Sequence, residues 1–127
     1  MSVSPMITII DDDEFVRLAT ESFMRSLGFE TRTFACAEDF FSSPLRHATD
    51  CIITDVQMSG MSGVELLARL RAEGSAVPVI VVTAFPSDRI RSRATELGAL
   101  GFFPKPFSGA DIVACIEKAV GPGPAGP

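Results

Sequence analysis

The sequence contains no tryptophan and no tyrosine, which leaves the chain without a useful intrinsic fluorescent reporter. It has few cysteines, Cys36, Cys51 and Cys115, and these form no C-x-x-C pair and no Cys/His ligand spacing. An odd set so spaced argues against a disulfide framework or a thiol catalyst and reads as reduced packing residues of a cytosolic protein. Long apolar runs are missing too. The stretch at 77–82, VPVIVV, falls far short of the roughly 20 residues a membrane span requires. The N-terminus lacks the cationic, apolar and small-residue regions of a signal peptide, so the expectation is a soluble, cytoplasmic chain with no membrane association. Basic charge is in deficit: 11 Lys and Arg against 16 Asp and Glu give a net charge of −5, which argues against nucleic-acid contact by this chain. No internal repeat is visible.

What is present is enough for one domain. A chain of 127 residues can bury roughly two-thirds of its unfolded surface and needs no metal or disulfide to hold its core. Apolar runs at 6–10, 51–54, 77–82 and 100–103 read as strands, and a weaker alternating one at 29–34 makes five. Between them the period turns helical. Val16, Ala19, Phe23 and Leu27 share a face before Gly28. Val64, Leu67, Ala68 and Arg71 mark a helix ending at Gly74, and Ile90, Ala94 and Leu97 mark one ending at Gly98. Ile112, Val113, Ile116 and Val120 mark the last helix, and a short second one reads near 37–42. Ser62-x-x-Glu65 and Ser108-x-x-Asp111 have the form of capping boxes. Five strands alternating with five helices predict an α/β fold, a doubly wound parallel sheet covered on both faces. Residues 1–120 form this domain, and GPGPAGP at 121–127 reads as a disordered tail or the start of a linker.

Ligands of an open parallel sheet sit at the carboxyl ends of its strands. There the sequence places Asp11 and Asp12 after the first strand, Asp55 after the third, Thr83 after the fourth and Lys105 after the fifth. Each has an ordinary structural role open to it when taken singly, and Asp13 and Glu14 are best explained as the cap of the first helix. Together the five converge on one edge. Three carboxylates and one ammonium leave a net −2, which one divalent cation neutralises, and oxygen ligands favour a hard ion such as Mg²⁺. An aspartate beside a metal, a hydroxyl and a lysine has what phosphoryl transfer to a carboxylate needs, with Asp55 as nucleophile.

The stretches IIDDDEFVR (9–17), IITDVQMSGMSGVELL (52–67), VIVVTAF (79–85) and GALGFFPKPF (98–107) resemble the receiver domain of two-component response regulators, and most of all its FixJ-like branch. The resemblance spans about residues 6–120 and implies the flavodoxin-like sheet order 2-1-3-4-5. It implies that Asp55 accepts a phosphoryl group from a sensor histidine kinase with Mg²⁺ held by Asp12 directly, by Asp11 through water, by Asp55 and by the backbone carbonyl of Gln57. Thr83 and Ala84 would contact the phosphoryl group and Lys105 would pair with it. Phe102 matches the switch aromatic, which swings inward when Thr83 moves. The resemblance implies a signalling switch that assists its own phosphorylation and dephosphorylation and is not a dedicated enzyme. Transcription regulation would come only through an output domain outside this chain.

Three departures from that pattern are visible. Ser59 stands where many relatives have proline and predicts, with Gly60, a more mobile loop beside Asp55. Phe85, bulkier than most occupants of its position, is expected to slow attack by water on the phosphoryl group. Pro104 fixes φ on one side of Lys105, whose bond to Pro106 is commonly cis in the family. Arg89, Arg91 and Arg93 crowd the fourth helix as a solvated face, or as one side of a homodimer through the fourth helix, fifth strand and fifth helix, pairing with acids such as Asp111 or Glu117. Three other classes stay open at this point: a flavin-binding electron carrier, a phosphatase with an aspartyl nucleophile, and a receiver-like interaction module that is not phosphorylated.

Overall fold

A computed structural model of the chain describes residues 4–121, so residues 122–127 of the expected tail or linker lie outside the described residues. The elements run β1 (Met6–Ile10), α1 (Glu14–Ser26), β2 (Glu30–Phe34), α2 (Ala37–Ser42), β3 (Cys51–Asp55), α3 (Gly63–Ala72), β4 (Val79–Thr83), α4 (Asp88–Glu96), β5 (Gly101–Pro104) and α5 (Gly109–Val120). The five strands form one parallel sheet in the order β2-β1-β3-β4-β5.

Strand alternation divides the core in two. Ile10, Ile52, Val79 and Val81 face Phe40 of α2 and Leu66, Leu67 and Leu70 of α3, while Ile7, Ile9, Ile53, Ile80 and Val82 face Met24 of α1 and Ile112 and Ile116 of α5. Every residue of β3 and β4 is buried, which is why those runs read as continuous rather than alternating. Burying each such Val, Leu or Ile contributes about 1.5–3 kcal/mol. β5 lies at the sheet edge, where its terminal Pro104 can lack an N–H without breaking a ladder.

Helix faces and ends depart from the sequence reading in places. In α1 the buried residues are Thr20 and Met24, whereas Ala19 is exposed and Phe23 is 38% exposed. The expected face is therefore rotated by one position. Burial of Thr20 is possible because its hydroxyl donates to the Val16 carbonyl at 2.8 Å. In α3 the buried face is Gly63, Leu66, Leu67 and Leu70. Arg71 instead reaches past the helix end, donating to the carbonyls of Leu97, Ser75, Val77 and Gly98. Ser62 and Glu65 form the expected capping box. Ser108 is the N-cap residue of α5, but its side chain makes no capping bond, so the second expected box is absent.

Candidate functional site

The site is built where the sheet order reverses. β1 and β3 are neighbours whose following helices pack on opposite faces, which leaves a crevice between their carboxyl ends. Asp11 immediately follows β1 and is 3% exposed; Asp55 ends β3 and is 5% exposed. Thr83 ends β4, fully buried, and Lys105 follows β5. Its ammonium donates to Asp11 Oδ2 at 2.9 Å and lies 3.4 Å from Asp55 Oδ1. Pro104 does not prevent this reach, and the Lys105–Pro106 bond is cis. Asp55 Oδ1 also accepts from the Val56 N–H at 2.9 Å.

The acids of the first loop divide their work. Asp13 caps α1, accepting from the Phe15 and Val16 N–H groups, and Glu14 lies in the first turn. Asp11 has both oxygens engaged, Oδ1 by the Asp13 N–H at 2.9 Å and Oδ2 by Lys105. Arg17 donates to the Asp11 carbonyl at 2.7 Å and holds the loop against α1. Asp12 is exposed and makes no side-chain hydrogen bond among the described residues. One carboxylate oxygen from each of Asp11, Asp12 and Asp55 lies within 4.8 Å of the others.

Such crowding carries an electrostatic cost. Burial first, and then the neighbouring Asp11 charge, raise the Asp55 pKa above 3.8, with Lys105 and the Val56 N–H opposing them. Burial alone would lower the Lys105 pKa; the hydrogen bond and charge of Asp11, joined by Asp55, outweigh it and raise the value above 10.5. Lys105 thus stays charged at neutral pH. With three carboxylates against one ammonium, the all-oxygen set fits a hard divalent cation, with water and a ligand oxygen completing the shell.

The remaining side chains flank this cluster. The Thr83 hydroxyl donates to Gln57 Oε1 at 2.6 Å and accepts from the Phe85 N–H at 3.0 Å. Gln57 therefore meets Thr83 through its side chain, a contact the sequence reading did not anticipate. Ala84 is exposed. Phe85 is 71% exposed, so its resting ring offers Asp55 little of the cover expected from its size. Phe102 is half-buried against the α3–α4 side of the core with the Arg91 guanidinium 4.7 Å from its ring centre. Arg93 pairs with Glu96 at 3.6 Å and lines, with Arg89, a cavity against α3. The three arginines of α4 do not form one face.

Two supporting residues were missed. Glu38, in the first turn of α2, accepts from the Met61 N–H at 2.9 Å, so the Ser59–Gly60 loop is tied at Met61. That bond is the leading reason the Glu38 pKa is lowered. Its contact spans 23 residues and has no local signal. Gly63 opens α3 so close to the Asp55 backbone that a Cβ there would lie 2.1 Å from the Asp55 carbonyl oxygen. A glycine directly after a capping serine was the available hint.

Comparison with known proteins identifies relatives of the whole domain. The family model described as "Response regulator receiver domain" matches residues 7–117. The transcriptional regulatory protein FixJ of Azorhizobium caulinodans is 36% identical over 121 residues, covering 95% of this chain and 57% of that protein. The response regulator protein TodT of Pseudomonas putida is 33% identical over 115 residues, 91% of this chain and 51% of its own length. The chain thus spans about half the length of these curated relatives. Among solved structures, that of FixJ-N superposes with a TM-score of 0.81 at 31% identity, covering 93% of this chain and 94% of the other. That of the response regulator StyR superposes with a TM-score of 0.85 at 35% identity, covering 93% and 60%.

Proposed function

Because the chain belongs to the response regulator receiver domain family, we propose that Asp55 is its phosphoacceptor and that Asp11, Asp12, Asp55 and the Gln57 carbonyl hold Mg²⁺ beside it. The observation that carries the reading is the pairing of a buried carboxylate with an ammonium 3.4 Å away, inside a cluster of three acids. Bound there, Mg²⁺ would neutralise phosphoryl oxygens and lower the repulsion between them and the site's carboxylates.

The protein's own groups supply the rest. The Val56 N–H orients Asp55 Oδ1 and leaves Oδ2 to attack phosphorus, while Lys105 holds the carboxylate ionised against the effect of its burial. As the donor's N–P bond breaks and the Asp55 O–P bond forms, the departing imidazole takes a proton from water. Lys105 turns from Asp11 toward the developing charge, and Thr83 and Ala84 meet the remaining oxygens. Movement of Thr83 opens the space into which Phe102 turns, biasing the α4–β5–α5 surface. The same chemistry with water as nucleophile would return Asp55 to its free state.

The donor in this reading is a sensor histidine kinase, and the chain acts in the cytoplasm. An apolar groove of about 610 Å³, lined by Val16, Ala19, Phe23, Pro106 and Phe107, runs up to Lys105, and Phe15 at 89% exposure stands at the same end of α1. A helix carrying the phosphohistidine can lie there with its imidazole over Asp55. Among the described residues no helix is long and apolar enough to cross a membrane. A homodimer through α4, β5 and α5, and DNA binding through an output domain, belong to the same reading.

The test is chemical identification of the adduct. After incubation with phosphoramidate and Mg²⁺, borohydride reduction should convert Asp55 alone to homoserine, and hydroxylamine should remove the phosphate beforehand. A hydroxylamine-stable phosphate, or reduction at another aspartate, contradicts the assignment.

A further inference from the structure

The hydrogen bonds of Thr83 conflict with the role proposed for it. A threonine hydroxyl has a single proton. Here that proton is given to Gln57 Oε1 at 2.6 Å, while Thr83 Oγ1 itself accepts the Phe85 N–H at 3.0 Å. Thr83 can therefore donate to a phosphoryl oxygen only by leaving Gln57. Gln57 sits two residues beyond Asp55, on the loop that Glu38 ties down at Met61. Whichever side chain moves, the Thr83–Gln57 bond must break before the Thr83 proton can be given elsewhere.

We propose that the Gln57 side chain is a latch, a positioning residue that holds Thr83 in its unphosphorylated arrangement and so opposes activation. The proposal rests on Asp55 being the phosphoacceptor. Gln57 is exposed, so once released its amide returns to water and is not stranded. The latch therefore sets a threshold without making the active state untenable. The Gln57 backbone carbonyl is separate from the side chain, so cation binding and latching are distinct functions of one residue.

The test uses beryllofluoride, a phosphoryl mimic, titrated at saturating Mg²⁺ into the chain and into Gln57→Met and Gln57→Leu, with the bound species read directly by fluorine NMR. Both variants lack the acceptor at similar volume, and equal thermal midpoints and equal affinity for Mg²⁺ alone show that fold and metal site are intact. Losing an ordinary hydrogen bond from the inactive state should tighten beryllofluoride binding about fivefold. The Thr83 methyl resonance of the ligand-free variants should also move toward its analogue-bound position. Unchanged or weaker binding, or an unmoved methyl resonance, overturns the latch while leaving the receiver chemistry standing. Failure of the unaltered chain to bind beryllofluoride overturns the phosphoacceptor assignment, and the latch with it.

Discussion

Replacing Gly63 by alanine should impair the site from behind. The added Cβ would lie 2.1 Å from the Asp55 carbonyl oxygen, 2.9 Å from its carbonyl carbon and 3.2 Å from Thr54 Oγ1. Two of these are backbone atoms of Asp55, so no side-chain rotation relieves the overlap. The start of α3 must retreat by about 1 Å to restore an ordinary contact. That movement also strains the Gly63 N–H bond to the Val56 carbonyl, 3.1 Å long, beside the N–H that orients Asp55 Oδ1. Overpacking of this kind costs about 1–3 kcal/mol, a fall of roughly 3–12 °C in thermal midpoint for a domain of this size. A misplacement near 1 Å at reacting groups lowers rates by on the order of 10²-fold. The assay is the initial rate of acetyl phosphate labelling by intact mass, beside a thermal melt by circular dichroism. A variant with wild-type rate and wild-type midpoint would refute the packing argument.

Three further outcomes follow from the same contacts. Asp55 has a folded pKa above 3.8, so the stability it contributes is complete below 3.8 and is lost as pH rises through the raised folded value. Without metal, Asp55→Asn should therefore melt a few degrees higher than the parent near neutral pH, with the gap closing as pH falls toward 3.8; a gap that widens in acid contradicts the sign. Arg71→Met removes the donor to four carbonyls around the ends of α3 and α4 and should cost roughly 2–3 kcal/mol in denaturant melts, with little change in acetyl phosphate labelling. Phe85→Gly should change the rate of aspartyl phosphate hydrolysis less than about twofold, because the ring is 71% exposed; markedly faster hydrolysis would mean that it folds over the site after phosphorylation.

Much of this architecture is legible locally. The runs at β3 and β4 are apolar without interruption because both faces of those strands are covered, and the acids, Thr83 and Lys105 stand at strand ends that periodicity alone locates. What escaped the sequence reading depends on partners distant in the chain. The face of α1 was misread because Thr20 is buried with its hydroxyl bonded back to Val16, while Phe23 borders an open groove. Arg71 looked like an edge of the α3 face, but its carbonyl partners are set by where α4 and the turn before β4 come to rest. Loss of proline at Ser59 suggested a loose loop, and only folding brings Glu38 close enough to fasten it. Substitution of a covalent restraint by a distant hydrogen bond cannot be seen in one stretch of sequence.

The central claim is that Asp55 accepts a phosphoryl group in a site completed by a divalent cation. Intact mass after incubation with acetyl phosphate, with and without Mg²⁺, on this chain and on Asp55→Asn, tests it most directly. The account predicts one added phosphate on the parent chain with Mg²⁺, little without it, and none on Asp55→Asn. A phosphate retained by Asp55→Asn, or no adduct on the parent at any Mg²⁺ concentration after rapid quenching, would contradict it.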